Sequence, residues 1–348
     1  MKQAAFFLGA NAGGGFVSFF EACMAESRER ESWLIKGGPG CGKSTLMKTL
    51  SGRLGAEELF YCSSDPDSLD GVLLPGDQLI LDATAPHILD VPLHGACGGY
   101  LVTPPPRDRA ALRCKLKTLQ GLKARAAVCW SGAYRLLGAA ALAEAQLRAL
   151  VSPHLPQQRL RRRAKGIADR ELPDKKSPGQ LKKRFLEGYT PAGLRTLWDT
   201  VEVMADRVYD LQDDWGIGEP MLQQLLESAL NRGHTVWACY SPLEPDRLRH
   251  LLIPGLRLAF VTSDSRGQYP GKPWRRLRLE AYLGDSRYKA LRRQLKDLRR
   301  QISALEQGAL DHLRMAHHLH DQIEGLFRPH LDTEALEHMA DRLTQQLK

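Results

Sequence analysis

Residues 33–50 read WLIKGGPGCGKSTLMKTL. A short apolar stretch, Trp33–Lys36, runs into a glycine-rich octet, GGPGCGKS, at Gly37–Ser44. Beyond it Leu46, Met47 and Leu50 recur at helical spacing from Ser44 to about Leu54. The octet matches G-x-x-x-x-G-K-[ST], and strand, loop and helix in that order are the setting of a phosphate cradle. Glycines let the backbone bend so that successive N–H groups point inward at phosphate oxygens. The following helix adds its free N-terminal amides and partial positive charge. Lys43 is placed to reach the β- and γ-phosphates, and Ser44 offers a hydroxyl to Mg²⁺. The stretch therefore predicts a site for ATP with Mg²⁺, with Gly37, Gly38, Pro39, Gly40, Cys41, Gly42, Lys43, Ser44 and Thr45 around the phosphates.

Such a loop needs an acid at the end of a neighbouring strand. Asp82 follows the apolar LIL of Leu79–Leu81 and meets that need, as a ligand to Mg²⁺ through water. Just downstream, in DATAPH, Thr84 or His87 can orient an attacking water or sense the γ-phosphate. The sequence leaves that choice open, and a loop histidine satisfied by its surroundings is the alternative. Lys43, Asp82 and His87 are the catalytic candidates, and Ser44 and Asp82 the metal candidates. Asp65 and Asp67, in SSDPDSLD, follow the strand Leu59–Cys62 and face either the ligand edge of the sheet or their own turn.

The chain also repeats itself. FFLGANAGGGFVSFF (6–20) aligns with RFLEGYTPAGLRTLW (184–198) so that Phe7 meets Phe185, an offset of 178. The Pro66–Asp67 pair meets Pro245–Asp246 at 179, and RALVSPHL (148–155) meets EGLFRPHL (324–331) at 176. Three matches in the same order imply a tandem duplication. Strands alternating with helices imply the α/β class. The expected architecture is two P-loop NTPase-like parallel-sheet domains, 1–165 and 184–348, joined by a basic linker at 166–183. Each carries a long helical hairpin, about 108–160 (turning near Trp130–Gly132) and about 284–347. At an offset of 176, GCGKS (40–44) faces GIGEP (216–220). Glu219 replaces Lys43, Pro220 replaces Ser44, and Val261 faces Asp82. A carboxylate repels phosphates, and Pro removes both a hydroxyl and an N–H. One nucleotide per chain is therefore expected. Arg232, Arg247 and Arg257 are candidates to complete the first site from the second copy.

IKGGPGCGKSTLMK, SSDPDSLDGVLLP and DATAPH in the first copy resemble an uncharacterised tandem P-loop ATPase family of Firmicutes-type bacteria. So do FLEGYTPAGL and GHTVWACYSPLEPDRLRHLLIPGLRLAFVTS in the second. The resemblance covers nearly the whole chain. It implies a bacterial cytoplasmic ATP-binding protein with two P-loop domains and presumed ATP hydrolysis. Relatives are expected to carry a second glycine-rich loop with Lys-Ser, where this chain has GIGEP.

Composition bounds the remaining readings. The chain has 348 residues, enough for two domains, and a formal net charge of +9. Seven cysteines with no C-x-x-C pair argue against a disulfide framework or structural zinc. Cys41, inside the octet, is the thiol expected to oxidise when the site is empty. No export signal is read, no stretch approaches the ~20 apolar residues that cross a bilayer, and a cytoplasmic protein is expected. Much of the positive charge lies in Arg159–Arg184, without interleaved aromatics, and is read as solvated linker rather than a nucleic-acid clamp. The cations of the helix beginning near Ser286 are read as its outer face, and the cluster His312, His317, His318 and His320 as non-metal. An ATPase is the leading expectation. A small-molecule kinase and an ATP-regulated nucleic-acid-binding protein are the alternatives, with a protein or nucleic-acid partner and a possible dimer left open.

Overall fold

The computed structural model describes residues 3–27, 29–91, 93–283 and 286–347. The first half holds β1 (Ala4–Phe7), a hairpin of β2 (Gly9–Ala12) and β3 (Gly15–Ser18), the short α1 (Phe20–Met24), β4 (Glu31–Lys36) and α2 (Lys43–Leu54). Then come β5 (Glu58–Tyr61), β6 (Leu69–Leu74), β7 (Gln78–Asp82), β8 (Gly98–Val102), α3 (Arg109–Cys114), α4 (Leu116–Val151) and α5 (Gln157–Glu171). The second half runs β9 (Gln180–Arg184), the hairpin β10 (Glu187–Thr190) and β11 (Gly193–Thr196), α6 (Trp198–Met204), β12 (Arg207–Gln212) and α7 (Glu219–Asn231). It ends with β13 (Thr235–Tyr240), β14 (Leu248–Ile253), β15 (Leu258–Ser263), β16 (Arg275–Arg278), α8 (Ser286–Phe327) and α9 (Thr333–Gln346).

The chain is of mixed α/β class. One six-stranded sheet has the order β1-β5-β6-β7-β4-β8 and the other β9-β13-β14-β15-β12-β16. Strand directions agree position by position, and each sheet has a register irregularity at the matching place, Phe60/Tyr61 and Cys239/Tyr240. Neither sheet is purely parallel as expected, because β6 and β14 run antiparallel to both neighbours. The run Leu69–Leu74 is buried throughout. A tight turn at Pro75–Asp77, with Gly76 at φ 76° and Asp77 at φ 60°, returns it as a hairpin into β7. Near Gly15–Met24 the chain forms half of a hairpin and one helical turn.

The long helices depart furthest from expectation. α4 is one 36-residue helix that passes straight through Trp130–Gly132. Gly132 serves packing instead: a Cβ there would come within 2.7 Å of the His312 ring on α8. Leu136 touches Gly308 and Glu144 takes Arg299, so α4 and α8 pair antiparallel along their length. By length and composition alone α4 would reach across a membrane, which amends the expectation that no stretch could; one face of it packs on α8.

Residues 166–183 are not a linker. Residues 166–171 complete α5, and 180–184 are β9. Leu160, Ala164, Ile167 and Ala168 of α5 are buried with Met221, Leu222 and Leu225 of α7 in the core of the second half. Reciprocally, Leu336, Met339, Ala340 and Leu343 of α9 cover Leu46, Met47 and Leu50 of α2 in the first. The two halves exchange their last helices. Between the sheets a shared core holds Phe6, Phe7, Phe20, Phe185 and Val201. Phe7 and Phe185, aligned at an offset of 178, exchange backbone hydrogen bonds of 2.9 Å. Beside them the fully buried Arg184 donates to Glu58 Oε2 and Glu26 Oε2, each at 3.0 Å.

Candidate functional site

β4 lies between β7 and β8, parallel to both, so the loop after Lys36 leaves the sheet at the carboxyl ends of its strands. Gly40 (φ 65°) and Gly42 (φ 81°) take left-handed conformations that side chains disfavour, and α2 starts at Lys43. Gly37 abuts Thr103, where an added Cβ would sit 2.3 Å from Oγ1.

Register brings the acid to the loop. Ile35 pairs with Asp82 across β4 and β7, and Asp82 Oδ2 lies 3.6 Å from Lys43 Nζ. Lys43 also donates to Gly37 O (3.1 Å) and Gly38 O (3.0 Å), folding back over the loop. Asp82 Oδ1 is held by Thr84 N at 2.8 Å, and Thr84 Oγ1 donates to Gly37 O at 3.1 Å. Ser44 Oγ accepts from Leu69 N at 3.0 Å, tying the first turn of α2 to β6. Thr45 is exposed, while Cys41 is buried with Sγ 3.7 Å from Pro39 O. A sheltered thiol is not set up for the oxidation expected of it.

The structure thus gathers Lys43, Ser44, Asp82 and Thr84 but turns His87 elsewhere. His87 is buried, with its ring against Phe16 (4.8 Å) and Phe20 (4.6 Å). Its Nε2 lies 3.5 Å from Asp70 Oδ2, within ion-pair reach but without a hydrogen bond. Asp70, which sequence reasoning did not single out, follows the residue bound to Ser44. Burial pushes its carboxyl up to about 6, against the pull of the His87 and Lys43 charges, while the nearby Asp82 adds to the rise. Asp65 closes its own turn, taking Ser68 Oγ at 2.5 Å and Asp67 N at 3.4 Å.

The far end of α8 lies over the loop. Glu324 Oε1 accepts from Gly40 N at 3.1 Å, so a carboxylate oxygen stands at a seat suited to an anionic oxygen. His320, its Nε2 3.5 Å from Oε1, holds this carboxyl below its usual range. Phe327 and Leu331 pack by Gly40 and Cys41, and Leu336 of α9 presses on Gly42, where a Cβ would lie 2.5 Å from Cδ2. Nothing local marks Glu324; the residue aligned with it at an offset of 176 is Arg148.

In the second half Asp213, the counterpart of Gly37, fills the equivalent loop. Its carboxylate accepts from Ile217 N (2.9 Å) and Gly218 N (2.7 Å). Glu219 accepts from Leu248 N, as Ser44 does from Leu69, and pairs with Arg247 at 2.8 Å. The space left over this loop is about 40 Å³, room for a few waters at most. Leu211 pairs with Thr262 just as Ile35 pairs with Asp82, so Thr262, not Val261, stands at the acid's place.

The three arginines expected to reach across are committed to partners away from the first loop. Arg232 donates to Ala168 O and Leu172 O, Arg247 pairs with Glu219, and Arg257 with Asp206. Arg195 does cross: it donates to Pro66 O at 2.8 Å and stacks 5.0 Å from the Tyr61 ring. His317 and His320 each turn to the carboxylate one helical turn on, Asp321 and Glu324. Among the described residues no three His, Cys, Asp or Glu side chains converge as a metal cluster.

No protein-family model matches this chain, and neither the curated proteins nor the solved structures searched contain a match.

Proposed function

We propose that the loop Gly37–Ser44 binds ATP with Mg²⁺ and that the chain hydrolyses ATP at this one site. The observation that carries the reading is the approach of Lys43 to Asp82 at the end of the adjacent parallel strand, under a glycine-bent loop that opens a helix. A carboxylate already seated on Gly40 N supports an anion site there. Ser44 and Asp82 are the residues that would hold Mg²⁺, an ion that takes few protein ligands and completes its shell with phosphates and water. When bound, it neutralises charge on the β- and γ-oxygens.

The reading extends to origin. The matching strand orders and the constant residue offsets support a tandem duplication of a P-loop NTPase-like unit, in line with the tandem ATPase family that the motifs resemble. The second loop, with Asp213 across its amides and Glu219 in place of the lysine, is a pseudo-site.

The test is nucleotide binding and phosphate release by the whole chain without an added acceptor. Lys43→Ala is expected to abolish both, and Glu219→Ala to leave both within about twofold, because the second loop has no lysine to lose. Normal binding and turnover by Lys43→Ala would refute the site.

A further inference from the structure

The second half carries a surface that a nucleotide site does not use. α5 enters the core through Leu160, Ala164 and Ile167, which turns Arg159, Arg161, Arg162 and Arg163 outward. Beside its start lies β16, the edge strand of the second sheet, where Leu277 is buried and Arg275, Arg276 and Arg278 are exposed. The two elements are joined by the Arg159 guanidinium, 5.1 Å from the Tyr282 ring. An open groove of about 630 Å³ runs past Arg159, Arg276, Arg278 and Tyr282. Across the turn Leu279–Tyr282, a second of about 490 Å³ is lined by Arg292, Lys296, Arg299 and Arg300 of α8, with Asp214 and Glu280 also on its wall.

Much of this charge is uncompensated. Asp210 takes Arg276, Glu280 takes Arg292, Asp297 takes Arg300 and Glu144 takes Arg299. Among the described residues Arg161, Arg162, Arg275, Arg278 and Arg293 have no carboxylate partner. This contrasts with the second half's interior, where Arg249 and Arg266 are both bound to Asp264. Trp274, the residue before β16, is 54% exposed, with the Arg275 guanidinium 5.4 Å from its ring.

Protection of an edge strand by charge would explain β16 alone. It does not explain three separate elements converging their arginines on two grooves. An anionic membrane would call for an apolar face to sink into it, and here one tryptophan is exposed among cations. Cations that track a backbone, with an exposed aromatic face for an unpaired base, are the features of single-strand binding. A duplex has no free base to offer Trp274. We propose that the face formed by α5, β16 and the start of α8 binds single-stranded nucleic acid, with phosphates along the arginine rows and a base on Trp274. This inference is independent of the nucleotide reading.

The experiment is fluorescence anisotropy of the full chain with labelled oligo(dT) and oligo(U) of about 20 nucleotides, a length that covers one such site. The two probes distinguish DNA from RNA. A duplex of the same length and vesicles containing phosphatidylserine serve as competitors. With about five phosphates contacted, affinity should fall roughly 100-fold between about 50 and 200 mM salt. The triple variant Arg275→Gln/Arg278→Gln/Arg293→Gln should flatten the log–log salt slope by about 2. Trp274→Ala should cost about fivefold or more while leaving that slope unchanged. All four side chains are exposed, so the fold should tolerate their loss. Absence of single-strand binding at low salt, binding that both variants leave intact, or a preference for duplex or vesicles would each overturn the proposal.

Discussion

Replacing Glu324 by glutamine isolates one charge at the loop proposed to bind phosphate. In the wild-type chain Oε1 accepts from Gly40 N at 3.1 Å, and His320 keeps the carboxyl ionised. An incoming phosphate must displace this group or lie beside it. At a separation of about 5 Å and an effective dielectric of about 20, two unit charges repel by about 3 kcal/mol. The side chain is 26% exposed and can swing toward water, so we expect about 1–2 kcal/mol of that to be felt. Glutamine retains an oxygen for Gly40 N and removes only the charge. Affinity for a fluorescent ATP analogue with Mg²⁺ should therefore rise about 5- to 30-fold at neutral pH. Glu324→Lys, which adds a cation at the same place, should bind at least as tightly. Unchanged or weaker binding by Glu324→Gln would refute the claim that this carboxylate competes for the loop.

Two further outcomes concern stability. Burial pushes Asp70 up to about 6 from an ordinary 3.8, so between those pH values the native state holds a proton that the unfolded state has released. Stability from this group is present below pH 3.8 and lost as pH rises through 6. Asp70→Asn should be more resistant to urea than wild type at pH 8, by about 3 kcal/mol at most, and the advantage should shrink toward pH 4. A gain that stays constant with pH would contradict the assignment. Arg184→Ala should cost about 3 kcal/mol in denaturant unfolding, because Glu58 then keeps only the more distant Lys182 (3.9 Å), while Glu26 still has Arg30 (3.1 Å). Adding Glu58→Ala should recover part of that loss, and a simply additive double variant would show that the pair is not coupled.

Several features could be read before any coordinates, for a common reason. Gly37–Ser44 is contiguous, its glycines and lysine have local roles, and the flanking apolar runs state strand and helix directly. Asp82 was legible because it ends a short buried run, and strand pairing then brought it to 3.6 Å from Lys43. Duplication was inferred from spacing alone, and the two sheets share one strand order. Leu69–Leu74 escaped because a fully buried strand lacks the alternation that reveals one. Gly132 misled because glycine marks turns and close helix contacts alike.

By itself, then, the sequence determined the glycine-rich octet and its flanking elements, the different residues at the matching second loop, and the constant offsets from which a repeat was inferred, since these are written in adjacent residues or fixed spacings. Tertiary structure alone decided that α5 and α9 cross to the opposite halves, because an arginine-rich composition hides the Leu160, Ala164, Ile167 stripe until a partner surface covers it. It also decided that Glu324, 284 residues from Gly40, sits on the loop, and that His87 faces Asp70. Contacts of that span arise from how whole sheets and helices pack, and no local pattern encodes them.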